Sequence, residues 1–273
     1  GVEMENGIKV RAKKIISACG APNTWLKLVP KPYVPKQLID SINKLGYSCS
    51  FTYVFVGMNK SPSELKLRGS NIWHWPNQDY DKMLNDYYKD PLNAPMPMFI
   101  GFPCAKDSTW ETRYPGKSTA VILTMSKFDE FKKWENTKLK KRGEEYKNIK
   151  DQYAKRIIEE GLYYYYPQTK GTVDYVDVAS PLTFNYYINS LQGEAYGLDN
   201  KPERFSLDDW LRPNTHIKNL YLTGQDITTL GLTGAMMAGV ITAHSVLGYG
   251  GIDDLITGRN LIEDIMHLNK KIN

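Results

Sequence analysis

The stretch Asn219-Leu220-Tyr221-Leu222-Thr223-Gly224-Gln225-Asp226 decides how this chain is read. Leu220 to Thr223 has the short apolar composition of a buried strand. Gly224 follows and lets the backbone turn without a Cβ in the way. Asp226 then stands at the carboxyl edge of the strand, where open α/β sheets hold their ligands. Gly231 and Gly234 come next, and Thr233 to Leu247 reads as a helix whose first turn carries Gly234 and Ala235. A strand, a Gly-Gln-Asp turn and a small-residue helix start together make a place for a polar cofactor. The carboxylate can accept from sugar-like hydroxyls, and the unpaired amides of the first helical turn can face a partly negative ring or phosphate. A plain buried strand that ends in Gly and Asp has the same wording, so the pattern alone leaves both readings open.

Composition narrows the class. The 273 residues are 41% hydrophobic and 24% charged, an ordinary globular balance with room for one large domain or two modest ones. The net charge of +5 describes a Lys-rich solvated surface, and no zinc finger, RNA-recognition or basic-zipper pattern accompanies it. Nucleic acid is therefore not an expected partner. Cys19, Cys49 and Cys104 are an odd, widely spaced set, and the histidines at 74, 216, 244 and 267 are scattered. Neither a disulfide framework nor a metal site is expected from them. The 19 tyrosines suit a large flat apolar ligand or an aromatic sheet core equally well.

Along the chain, Val2 to Glu5 and Ile8 to Arg11 flank Asn6-Gly7, a hairpin turn. Ala12 to Gly20 reads as a further strand. Pro22, Pro30, Pro32 and Pro35 punctuate a connector, and Leu38 to Leu45 reads as a short helix. Cys49 to Val56 alternates Cys49, Phe51, Tyr53 and Phe55 with Ser50, Thr52, Val54 and Val56, a half-buried strand. Ile72 to Trp75, Met98 to Phe102, Thr119 to Met125 and Val173 to Val178 are further strands, and their succession predicts an antiparallel sheet. Phe128 to Lys138 and Glu144 to Gly161 read as helices, with Gly161 as a stop. The Tyr163 to Tyr166 run reads as sheet or interface packing, and the lysines at 138–141 as a solvated turn. From Ile227 to Ile252 there is no charged residue, long enough for a membrane span. Its Gly, Thr and Ala content reads instead as a buried helix, with residues 234, 235, 238, 239 and 242 on one side.

Four matches in order resemble one family. They are Ala12 to Gly20, then Ser180-Pro181-Leu182-Thr183 with Tyr187 and Gly193 to Gly197, then Leu211 to Thr215, then Leu220 to Gly248. Together they resemble the phytoene desaturase and carotenoid isomerase superfamily of FAD-dependent oxidoreductases, nearest its retinol saturase branch. The resemblance implies an α/β flavoprotein in two domains, with an antiparallel-sheet substrate domain. That superfamily opens with a strand, a G-x-G-x-x-G turn and a helix that hold the ADP half of FAD, and no such turn occurs here. The chain opens on Gly1 inside the hairpin, so the resemblance implies the C-terminal part of a longer protein. Residues 1–21 and 186–273 would belong to the FAD domain and 22–185 to the substrate domain.

The resemblance also implies site roles. Asp226 would bond the ribityl hydroxyls, with Gly224 and Gln225 bringing backbone close. Leu232, Thr233, Gly234 and Ala235 would face the pyrimidine edge of the isoalloxazine, where a helix start favours the anionic reduced flavin. Gly193, Tyr196 and Gly197 would lie near the ring, and Ala18 and Gly20 near the adenine. The catalytic acid stays unassigned; Tyr187, Tyr196 and Glu194 are the groups that can give a proton. Further implications are a small hydrophobic polyene substrate, a nicotinamide nucleotide as a possible electron donor, and a cytoplasmic or membrane-peripheral setting. A non-catalytic polyene-binding domain, or a protein anchored by 227–251, remain the alternatives. Without the ADP-binding turn, the 273-residue chain by itself should bind FAD no tighter than the micromolar range. Fluorescence quenching on titration with FAD checks this, and sub-micromolar binding would refute it.

Overall fold

A computed structural model of the chain describes residues 1–207 and 210–248. Among them the order is β1 (Val2–Glu3), β2 (Lys9–Val10), β3 (Ile15–Ser17), α1 (Lys36–Leu45), β4 (Ser50–Met58), β5 (Ile72–His74), α2 (Tyr80–Lys89), β6 (Met98–Gly101), β7 (Ser118–Ser126), α3 (Glu144–Arg156), β8 (Val173–Ala179), α4 (Pro181–Ile188), β9 (Leu220–Leu222) and α5 (Gly231–Leu247), with shorter helical turns between. The fold is mixed helix and sheet, as the alternation patterns require. It forms two compact units, one of residues 1–48 with 196–248 and one of Cys49–Ala195.

The first unit holds the decisive strand. β9 pairs in parallel with β3, Ile16 beside Tyr221. β1 and β2 pair antiparallel around Asn6-Gly7, with Gly7 at φ 82°. The unit's core gathers Trp25, Leu38, Ile42 and Leu45 with Leu198, Leu211 and Leu222. This core corrects the expected break at 21/22, because residues 22–48 pack with the strand they follow instead of leaving it. The prolines read as a connector instead start helical turns: Pro22 opens Ala21–Asn23, Pro32 lies in Lys31–Tyr33, and Pro35 precedes α1.

The second unit is a five-stranded antiparallel sheet in the order β5-β6-β7-β4-β8. β4 lies between β7 and β8, with Val54 beside Ile122 on one side and Val178 on the other. Ser50, Thr52, Val54, Val56 and Met58 are its buried face. They pack on Tyr87, Phe131, Tyr153, Ile157 and Leu162. The second unit keeps α4, so the expected break at 185/186 falls at 195/196. Tyr146 of α3 bonds Ser180 at 2.6 Å, and Phe184 packs on Tyr53 of β4 with ring centroids 5.5 Å apart, which ties α4 to this unit.

Several local readings change. The helix expected over 128–138 is two 3₁₀ turns, Phe128–Glu130 and Lys132–Trp134. Phe128, Phe131 and Trp134 recur every third residue and are all buried, which suits three residues per turn. Gly161 is not a stop. α3 continues through a π-helical turn, Ile157–Leu162, into Tyr163–Tyr165. A Cβ at Gly161 would lie 3.0 Å from the Met98 sulfur, so the glycine lets the helix approach the sheet. The tyrosine run is thus helical, not strand. α2 and α4 were not anticipated. Asp79 caps α2 by accepting from the Lys82 amide at 3.0 Å, and Pro181 opens α4. α5 begins two residues before the expected start. No described helix is long and apolar enough to cross a membrane, and the last residues of the uncharged stretch, 249–252, lie outside the described ones.

The sheet's buried face contains polar groups that pair with one another. Thr52 bonds Ser126 at 2.6 Å, and Thr124 bonds the Tyr87 hydroxyl at 3.0 Å and the Pro97 carbonyl at 2.8 Å. The Tyr153 hydroxyl donates to Glu130 at 2.5 Å. Burial raises the Glu130 carboxyl above its ordinary range, against the hydrogen bonds that favour its charge. A raised native-state value means the folded protein holds the proton more tightly than the unfolded chain. The contribution to stability is therefore full below the ordinary carboxylate range and is lost as pH rises through the raised value. Denaturant titrations between about pH 4 and 7 should show wild type losing stability relative to Glu130→Gln as pH rises. A flat difference would refute the assignment.

Candidate functional site

The turn after β9 is built around a buried carboxylate. Asp226 is 3% exposed. Its Oδ2 accepts from the Ala21 amide at 2.7 Å, and its Oδ1 from the Leu198 amide at 2.9 Å. Ala21 starts a helical segment, where free amides and the helix dipole favour a negative group. Three chain segments thus meet on one side chain, and the glycines around it follow from that. Gly197 has φ 67°, and a Cβ there would run into the Asp226 carboxylate. A Cβ on Gly20, at φ 90°, would sit 3.3 Å from Oδ2.

The start of α5 is tied to the same turn. The Gln225 side-chain oxygen accepts from the Gly231 amide at 3.0 Å, and Thr228 donates to the Gly234 carbonyl at 2.7 Å. A Cβ on Gly234 would strike the Thr229 carbonyl. Farther along, Thr242 donates to the Leu222 carbonyl at 3.0 Å, fastening the helix to β9. Of the small-residue side, Gly234, Ala238 and Thr242 are buried, while Ala235 and Gly239 are exposed. Leu232 and Thr233 are also exposed, Leu232 at 87%.

Eleven of the twelve expected cofactor residues lie in the first unit. Ala18 lines a cleft of about 700 Å³ beside β3, together with Cys19, Thr24, Leu28, Tyr33 and Leu220. Gly20, Gly197, Gly224, Gln225 and Asp226 gather at the turn. Tyr196 donates its amide to Ser48 at 2.9 Å. Leu232, Thr233, Gly234 and Ala235 form the first turn of α5. Gly193 belongs to the second unit, where a Cβ would strike Pro181, so packing accounts for it. The fit to FAD is divided. The cleft and the open first turn of α5 leave room for a ligand. Asp226 is buried, and each of its oxygens accepts a backbone amide, so its visible task is to hold the chain.

Among the candidate proton donors, Glu194 is buried and accepts from the Leu191 and Gln192 amides at 2.9 and 2.6 Å, which makes it a loop cap. Tyr187 is 67% exposed. Arg204 was missed. It is 2% exposed and donates to the Leu198 carbonyl at 3.0 Å and to the Gln225 carbonyl. Nothing in Lys201-Pro202-Glu203-Arg204 marks it, since arginine in a polar loop is ordinarily solvated.

The second unit offers a different surface. Trp73, Phe99, Leu123 and Tyr53 stand in one row across four strands. Val121 and Phe55 form the next row. Trp73 meets Phe99 edge-on with centroids 4.9 Å apart, Trp75 stacks beside Trp73, and Tyr53 stacks on Phe55. This is the face of the sheet turned away from the core, and it is apolar yet partly open, with Trp73 63% and Phe55 38% exposed.

Known proteins match the chain over nearly its whole length. An all-trans-retinol 13,14-reductase of Danio rerio is 35% identical over 97% of this chain, and the human protein of that name 31% over 100%. Over nearly its whole length the chain is related to the all-trans-retinol 13,14-reductases. It spans less than half the length of these relatives, 43% of the first and 44% of the second. An inactive all-trans-retinol 13,14-reductase of Danio rerio is also 31% identical, over 90% of the chain. No family profile matches the chain.

The geometry sets what Asp226 variants should do. Asp226→Ala leaves two buried amides unpaired, at a cost of about 2–5 kcal/mol. Asp226→Asn also destabilises, because its NH₂ must face one of two N–H donors; about 1–3 kcal/mol is expected. Thermal melts without any ligand check this. Wild-type melting temperatures for both variants would show that Asp226 does not hold the fold.

Proposed function

We propose that this chain is the substrate-binding part, and one wall of the cofactor site, of a FAD-dependent reductase that saturates a double bond in a retinoid-like polyene. The observation that carries the substrate class is the open aromatic face of the five-stranded sheet. A polyene is long, flat and apolar, and gains by leaving water for a surface of that shape. Rows of Trp73, Phe99, Leu123 and Tyr53, and of Val121 and Phe55, offer such a bed on rigid backbone. The names of the relatives support reduction over desaturation or isomerisation of such a substrate.

FAD, once bound, would supply the hydride chemistry, and a nicotinamide nucleotide is the donor class to test first. The residues that would hold FAD are Ala18 in the cleft beside β3, the backbone at Gly224, and the first turn of α5 from Leu232 to Ala235. Asp226 would shape that site without touching the ligand. The aromatic face would orient the polyene and exclude water along its length.

The test uses the complete protein, purified without added cofactor. Flavin absorbance bands and loss of polyene absorbance on addition of all-trans-retinol and a nicotinamide donor are expected. A colourless protein would refute the flavin assignment. Phe55→Ser and Trp73→Ser each remove exposed aromatic surface, so each should raise KM about five- to thirty-fold with kcat little changed. Unchanged KM in both would remove the sheet face as the polyene bed.

A further inference from the structure

Arg204 lies in the short helical turn Pro202–Ser206 and is 2% exposed. A buried guanidinium demands partners, because an unpaired buried charge is costly. Its partners are main-chain oxygens of two separate segments. One terminal nitrogen donates to the Leu198 carbonyl at 3.0 Å and lies 3.4 Å from the Asn200 side-chain oxygen. The other donates to the Gln225 carbonyl. Burial lowers the Arg204 pKa, and the nearby Asp226 and Asp199 charges act against that.

The two carbonyls identify what the side chain does. Leu198 is held from both sides, its amide by Asp226 and its carbonyl by Arg204. Gln225 is held by its carbonyl, while its own side chain fixes the Gly231 amide at the start of α5. A chain of bonds therefore runs from Arg204 through Gln225 to the first turn of α5. Lysine cannot copy this, because it lacks the planar fork that reaches two acceptors in fixed directions.

We propose that Arg204 is a positioning residue. It locks the 197–200 segment to the 225–227 turn and thereby sets where the first turn of α5 stands. Only the ligand-facing part of that role rests on the FAD reading above; the lock itself does not.

Hydrogen–deuterium exchange of the complete protein, without ligand, tests the lock in Arg204→Met and Arg204→Lys. In Arg204→Met, peptides over 197–200 and 224–232 should exchange on the order of tenfold faster, while peptides over 50–58 and 118–126 keep wild-type rates. Arg204→Lys should fall between, losing protection in one of the two segments. Wild-type exchange over 224–232 in Arg204→Met would overturn the proposal. Uniformly faster exchange in every peptide, in both variants, would overturn it too, because a global loss of stability is not a local lock. Flavin content is read separately. Wild-type flavin alongside locally faster exchange would confirm the lock and count against the cofactor-facing role of the α5 turn.

Discussion

One carboxylate holding two distant amides is the constraint on which the first unit depends. Ala21 and Leu198 are far apart in the chain, and each has a buried N–H that no strand or helix partner takes. Leaving such groups unpaired is expensive, and a single Asp226 satisfies both. Its burial then dictates its neighbours. At Gly197 the carboxylate occupies the space a side chain would need, and at Gly20 a Cβ would be tight against it on a backbone at φ 90° that side chains rarely adopt. Arg204 closes the arrangement from the other side by taking the carbonyls of Leu198 and Gln225.

The second unit solves a different problem. Its sheet has to bury one face and present the other. The buried face mixes Val and Ile with Ser and Thr, and the polar members pair across strands: Thr52 with Ser126, Thr124 with Tyr87. Burial raises the Tyr87 and Tyr153 phenols well above their ordinary value, so both stay neutral and serve as hydrogen-bonding groups. The outward face is aromatic. Large apolar side chains partly open to water in adjoining rows are unusual for a surface that meets only solvent.

Similarity to the retinol reductases places both features in context without fixing the reaction. A relative described as inactive matches this chain nearly as well as those described as reductases. The scaffold is therefore shared by proteins that differ in turnover. In this chain the buried acids Asp226 and Glu194 hold backbone amides.

The sequence by itself determined much of the framework. Strict alternation over 49–56 specified a strand with two unlike faces, and Asn6-Gly7 specified a hairpin, because both depend on neighbours close in sequence. The wording from Leu220 to Asp226 located the decisive strand and turn for the same reason. What the sequence could not give was which face of β4 is buried, why Gly161 and Gly193 are glycines, or where the units divide. Each depends on a partner distant in the chain: α3 against β4, Met98 beside Gly161, Pro181 beside Gly193, Leu198 and Leu222 beside Trp25. Asp226 shows the difference most clearly. Its place at a strand end was legible, but its task was not, because the amides it holds, at residues 21 and 198, come to it only when the chain has folded.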